Sequence, residues 1–183
     1  CEALRYGYLN KMSTGSKKEK RVGEIKVLIF GDTIPLYTTQ MLKLLEQAQP
    51  FIKVPTSYVI KPHPTHQIHS SDYPSLNLRI VFDPLGEILN NFDITYSANL
   101  TSASIDAYLA GLPVVVILNQ MELNFSPLRG QTDVHFVDTP EKLAEAFYMA
   151  QHQKVTMPDR NDFFFLEPEL PRWRRLHSCI RSD

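Results

Sequence analysis

The sequence predicts an α/β domain of three layers, with a mostly parallel sheet of about six strands. Three observations carry that prediction. Short β-rich apolar runs alternate with segments whose apolar residues recur at helical spacing, the pattern of strand–helix–strand units. One run, Val114-Val115-Val116-Ile117-Leu118, is apolar at every position, as a strand covered on both faces must be. Two other runs stop abruptly in polar residues at strand-to-helix junctions, which is where open α/β sheets hold their ligands.

The elements follow in order. Glu2 to Leu9 reads as the end of a helix, and Ser13-Thr14-Gly15-Ser16-Lys17-Lys18-Glu19-Lys20-Arg21 as a polar, basic, flexible linker. The core starts at Ile25-Lys26-Val27-Leu28-Ile29-Phe30, a strand that ends in Gly31-Asp32. Residues 36–48 place Met41, Leu42, Leu44 and Leu45 at helical spacing, and Pro50 closes that helix. Further strands are expected at 56–60, 78–82, 93–97, 114–118 and 134–137, and helices at 84–91, 102–110, 140–151 and 168–180. Thr139-Pro140-Glu141 is a helix start, with an N-cap hydroxyl, a proline at the first position and an acidic first turn.

Bulk properties narrow the function. The chain has 183 residues, 43% of them hydrophobic and 21% charged, the size and composition of one globular domain. A formal net charge of −1 gives no general attraction to nucleic acid, so a nucleic-acid partner is not expected. No apolar run is long enough to span a bilayer. The two cysteines, Cys1 and Cys179, form no CxxC pattern and read as free thiols of a reducing, cytoplasmic compartment. The start lacks both a Met and a signal-peptide apolar core, so the chain is expected to be a fragment whose upstream part is missing.

Four places carry candidate chemistry. In Lys61-Pro62-His63-Pro64, two prolines hold an imidazole just past a strand end. His63 there can donate to a phosphate or a base, with the Lys61 charge beside it, or be an ordinary loop histidine. His66 and His69 share the loop, but no helix carries the three and no metal is expected. Thr101-Ser102-x-Ser104 puts hydroxyls at a helix start, where they either cap free N–H groups or join them in holding a phosphate. Asp106, one turn on, orients a ribose hydroxyl or is a solvated helix residue. The loop after 114–118 offers Asn124 and Arg129 to a sugar or phosphate, or is plain surface. Gly31-Asp32-Thr33 is not a GxGxxG fingerprint and no GxxxxGK[ST] is present, so no nicotinamide or flavin cofactor is expected. The tail Phe163-Phe164-Phe165 must pack on something, with docking on the upstream part favoured over covering the core.

These residues together resemble the C-terminal, donor-binding half of a GT-B glycosyltransferase, and more narrowly bacterial surface-carbohydrate or capsule biosynthesis proteins. The resemblance covers most of residues 25–180. It rests on Lys61-Pro62-His63-Pro64, the segment from Tyr96 to Val116, Leu123-Asn124-x-Ser126-Pro127-Leu128-Arg129-Gly130, and Leu170-Pro171-Arg172-Trp173. Glu2-Ala3-Leu4-Arg5-Tyr6 looks like the family's crossing segment between halves. Some bacterial sialyltransferases of this shape hold the CMP of CMP-sialic acid with a His-Pro motif and a paired-serine motif. His63-Pro64 matches the first, and Thr101-Ser102 or Ser102-x-Ser104 matches the second loosely.

The resemblance implies a division into a crossing segment and linker, 1–24, and a Rossmann-like donor-binding domain, 25–183. It implies a nucleotide-sugar donor, a CMP-linked sugar acid on the His-Pro match, and a glycan acceptor bound through the N-terminal half, which also supplies the catalytic base. His63 would then be catalytic, and Lys61, Thr101, Ser102, Ser104, Asp106 and Arg129 would bind donor and phosphate. Two other readings keep the same residues: a sugar-nucleotide epimerase of this fold, and a non-enzymatic module of a carbohydrate biosynthesis or export assembly.

Overall fold

The computed structural model describes residues 2–11, 23–153 and 163–180. Six parallel strands form one sheet in the order β3-β2-β1-β4-β5-β6. They are β1 (Ile25–Phe30), β2 (Thr56–Lys61), β3 (Arg79–Ile80), β4 (Ile94–Ser97), β5 (Val114–Ile117) and β6 (His135–Val137). The α-helices are α1 (Pro35–Ala48), α2 (Leu85–Ile88), α3 (Ala103–Leu109), α4 (Pro140–His152) and α5 (Pro171–Ile180). The expected α/β class, strand number and parallel pairing are therefore observed, in a Rossmann-like arrangement. The expected linker at 13–21 lies outside the described residues.

Alternation along β1 explains the layers. Ile25, Val27 and Ile29 point to one face, where α1 and α4 pack through Met41, Leu42, Leu45, Leu143, Ala146 and Phe147. Leu28 and Phe30 point to the other, covered by α3, by Leu89 and Phe92 beyond α2, and by Tyr6 and Leu9 of the 3₁₀ helix Leu4–Lys11. Both faces of the central strands are apolar because both are covered.

Boundaries depart from the expected ones for local reasons. β3 is only two residues long, since it is an edge strand that pairs with β2 alone and Asp83-Pro84 follows closely. Residues 84–91 split into α2 and a 3₁₀ turn, Leu89–Asn91. The last helix starts at Pro171, not 168, because Leu170 takes a left-handed φ of 52° and interrupts the chain there. The α4 start is as expected: Thr139 Oγ1 accepts the Lys142 N–H at 3.3 Å, with Pro140 at the first position.

Two residues of the aromatic tail, Phe163 and Phe164, help cover the core. Phe164 stacks on Tyr6 with ring centroids 4.1 Å apart, and Phe163 meets the Tyr108 edge at 5.8 Å. Phe165 remains half exposed beneath the Arg172 guanidinium. Nearby, the buried Glu2 carboxylate accepts the backbone N–H groups of Arg172 and Trp173 at the start of α5, and Arg172 Nη1 as well. Trp173 Nε1 donates back to the Glu2 carbonyl at 2.8 Å. One acidic residue thus fastens the last helix to the first described segment.

This clasp has a pH signature. Burial pushes the Glu2 carboxyl up, but the Arg172 and Trp173 N–H groups and the Arg172 guanidinium outweigh it and hold it at about 2, below its ordinary 4.5. A value lowered by folding means stability that is complete above pH 4.5 and lost as pH falls through about 2. Trp173 is the chain's single tryptophan and reports the event directly. Its emission is expected to stay constant down to about pH 4.5 and to shift below it. Glu2→Gln is expected to abolish that acid transition; an unchanged profile in the variant would show that another group controls it.

Candidate functional site

The strand order reverses between β1 and β4. The chain leaves β1 toward β2 on one side and leaves β4 toward β5 on the other, so the loops after these two neighbours diverge at the carboxyl edge of the sheet. Such a switch point leaves a crevice in open parallel sheets. Here it is lined by Gly31-Asp32-Thr33 after β1 and by the residues 98–102 after β4, with the loops after β2 and β5 alongside.

Gly31 sets the floor. Its N–H donates to the Lys61 carbonyl at 2.9 Å. A Cβ built on it would lie 2.8 Å from the His63 backbone nitrogen and 2.9 Å from Pro62 Cα. The loop carrying His63 therefore rests directly on this glycine, and space rather than φ is what demands it.

Asp32 joins three pieces of chain. Its side chain is buried, with Oδ1 accepting the Ile34 N–H at 2.9 Å and Oδ2 accepting the Thr101 hydroxyl at 2.8 Å. Its own N–H donates to the Thr38 hydroxyl inside α1 at 2.8 Å. The loops after β1 and β4 and the start of α1 are locked together by this one residue. On the far side, Asn99 donates to the Leu123 carbonyl at 2.8 Å and accepts the Phe125 N–H at 3.1 Å, which holds the loop after β5 against the end of β4. Ser97, at the last position of β4, is fully buried, and its hydroxyl has no hydrogen-bond partner among the described residues.

The three hydroxyls expected at the start of α3 do not cap it. Thr101 is committed to Asp32, and Ser104 donates to the Thr101 carbonyl at 2.7 Å. Ser102 accepts from Arg5 Nη1 at 3.0 Å. Asp106 is not the solvated helix residue that was one of its two readings. It is buried, takes the Tyr8 hydroxyl on one oxygen, and meets Arg5 Nη2 at 3.4 Å on the other. Burial raises its carboxyl above the ordinary value, while Tyr8 and Arg5 pull the other way. Tyr8 is raised too, by burial first and then by the carboxylate it serves. Tyr8 sits on Gly86, where a Cβ would come 2.7 Å from its ring.

His63 lies past β2 in a turn closed by the His66 N–H on the His63 carbonyl at 2.9 Å. Its Nδ1 meets the Thr65 hydroxyl at 2.7 Å and the Thr65 N–H at 3.3 Å. Lys61 Nζ donates to the Phe82 carbonyl at 3.0 Å, toward edge strand β3. Arg129 is exposed on the loop after β5. Among the described residues, no group of three or more His, Cys, Asp or Glu is placed to hold a metal ion, and no helix is long and apolar enough to cross a membrane.

The contacts thus bring Asp32 to Thr101, set Gly31 beneath the His63 backbone, and join Ser102 and Asp106 through Arg5. Lys61 stands at the end of β2 and Arg129 on the loop after β5. Asp32, Asn99, Thr65, Arg5 and Tyr8 were not singled out in the sequence as site residues. For Asp32 the signal was present, a Gly-Asp pair ending the first strand. Arg5 and Tyr8 carry no local signal, because their partners lie about 100 positions away in the chain.

No protein-family model matches the chain, and no curated protein is similar to it in sequence. Among solved structures, one described as the glycotransferase of kitacinnamycin superposes with a TM-score of 0.48 at 16% identity. The match covers 76% of this chain and 38% of that chain, so this chain spans well under half of its length.

Proposed function

We propose that this chain is the donor-binding half of a GT-B glycosyltransferase, transferring a sugar from a nucleotide-sugar in bacterial surface-polysaccharide biosynthesis. The observation that carries the reading is the switch point between β1 and β4, with polar loops gathered at the carboxyl edge of the sheet. In this reading the nucleotide lies across the ends of β1 and β4 and its phosphate faces His63. Transfer breaks the bond between the anomeric carbon and the phosphate oxygen, and negative charge grows on that oxygen. His63 stabilises it by hydrogen bonding, a preorganised electrostatic contribution. Arg5, held by Ser102 and Asp106, joins Lys61 and Arg129 as a cation near the anion. Thr101 acts by fixing the loop through Asp32, and Ser104 by bracing the Thr101 carbonyl.

Exposed apolar side chains on the same edge support a second half closing over it. Ile34, Leu100, Met121, Leu123 and Phe125 project from loops that follow β1, β4 or β5, and Leu36 from the first turn of α1. The acceptor glycan and the catalytic base belong to that second half in this reading, and the donor of the His-Pro match is a CMP-linked sugar acid.

The reading is tested by titrating CMP, UMP, UDP, GDP and CMP-sialic acid into the isotopically labelled 183-residue chain. Amide shifts are expected at His63 and over residues 99–106, largest with a cytidine nucleotide. His63→Ala is expected to weaken that binding about tenfold, equivalent to about 1.4 kcal/mol. A folded sample with no perturbation by any nucleotide at millimolar concentration sinks the proposal.

A further inference from the structure

We propose that Thr65 is a positioning residue for His63, holding the imidazole as the tautomer with its proton on Nε2. The geometry is local and complete. The turn from His63 to His66 places Thr65 so that its backbone N–H points at His63 Nδ1 at 3.3 Å, with its hydroxyl at 2.7 Å from the same atom. A backbone N–H only donates, so Nδ1 must be the accepting nitrogen. With a proton on Nδ1, two N–H groups would face each other. Nε2 then carries the ring proton and is the nitrogen left to meet a ligand.

The consequence for recognition is specific. In this tautomer His63 offers a ligand one hydrogen-bond donor, at Nε2, and no acceptor. It therefore suits an oxygen with lone pairs to share, such as a phosphate oxygen, and disfavours a ligand that must donate. The supporting backbone is fixed on both sides. Pro62 and Pro64 flank the ring, and Gly31 packs beneath the His63 nitrogen. The ligand assignment rests on the donor-site reading above, whereas the tautomer does not.

The test uses the full 183-residue chain labelled with nitrogen-15. Long-range proton–nitrogen correlation spectra of the imidazole are recorded at about pH 8, where an ordinary imidazole is neutral. The wild type is expected to show a pyridine-type Nδ1 and a pyrrole-type Nε2. Thr65→Ser, which keeps the hydroxyl, is expected to preserve that pattern. Thr65→Val removes the hydroxyl, the shorter of the two contacts at 2.7 Å, and leaves the backbone N–H at 3.3 Å, so both nitrogens are expected to move part of the way toward averaged values. A pyrrole-type Nδ1 in the wild type, or a Thr65→Val spectrum identical to wild type, overturns the proposal.

A parallel CMP titration separates the two ideas. Loss of about threefold in affinity is expected for Thr65→Val and none for Thr65→Ser, about 0.7 kcal/mol by the usual conversion. Wild-type protein that shows the expected nitrogens, with the expected change in Thr65→Val, but binds no CMP refutes the donor site and upholds the role of Thr65 on the ring. CMP binding with the opposite tautomer refutes Thr65 and upholds the site.

Discussion

Asp32→Ala is expected to lose about 3 kcal/mol of stability, because hydrogen bonds to a charged group are worth about 1.5–3 kcal/mol each and this side chain accepts two. The residue is buried, and its partners are the Ile34 N–H and the Thr101 hydroxyl. Alanine leaves both donors without an acceptor in a place water does not reach easily, which is costlier than removing both members of a pair. The loss is expected in urea unfolding as a lower midpoint with an unchanged slope. Asp32→Asn is the informative control. Its oxygen can still accept from Ile34, and the Thr101 hydroxyl can rotate to accept from the amide. Asparagine is therefore expected to cost under about 1 kcal/mol. If alanine and asparagine are equally harmless, the link between the loops after β1 and β4 does not hold the switch point together.

Gly31→Ala is expected to cost about 2 kcal/mol, in the range for forcing one extra carbon into packed structure. The atoms it would meet are the His63 nitrogen at 2.8 Å, Pro62 Cα at 2.9 Å and the Pro62 carbonyl carbon at 3.2 Å. All three are backbone, so no side-chain rotation relieves the contact. The loop after β2 must lift, and the Gly31 N–H to Lys61 carbonyl bond at 2.9 Å must lengthen. Amide shifts centred on residues 61–66 are expected, together with loss of nucleotide-induced shifts at His63. Stability close to wild type with an unmoved loop would show that the strand ends have slack and that the glycine is incidental.

The two variants probe different parts of one edge. Asp32 ties the loop after β1 to the loop after β4, while Gly31 ties it to the loop after β2. A site spanning the three loops should respond to both, and a site confined to His63 should respond to Gly31 alone.

Much of the scaffold was legible in the chain because its causes are local. The all-apolar run expected as a strand at 114–118 forms the interior strand β5 over Val114–Ile117, with helices over both faces. Thr139-Pro140-Glu141 begins a helix because an N-cap hydroxyl and a proline at the first position act on the very next turn. The short edge strand β3 was read too long, since pairing with one neighbour, not β propensity, decides where an edge strand stops. The Phe163–Phe164 pair was rightly read as needing cover, but which surface supplied it was not visible. Tyr6 and Tyr108 do, from far along the chain.

At the candidate site the division is sharper. The sequence by itself determined the α/β class, the six strands, and the polar junctions at the ends of β2 and β4, because period and composition act over a few residues. Only the tertiary structure decided what the side chains at those junctions do. Thr101, Ser102 and Asp106 looked free for a ligand or a helix cap, yet they are engaged by Asp32, Arg5 and Tyr8. Those partners are 69 to 101 residues away, and only the packing of the sheet and the Leu4–Lys11 segment brings them within hydrogen-bond reach. A hydrogen bond depends on a few tenths of an ångström, whereas a strand depends on the average character of several residues.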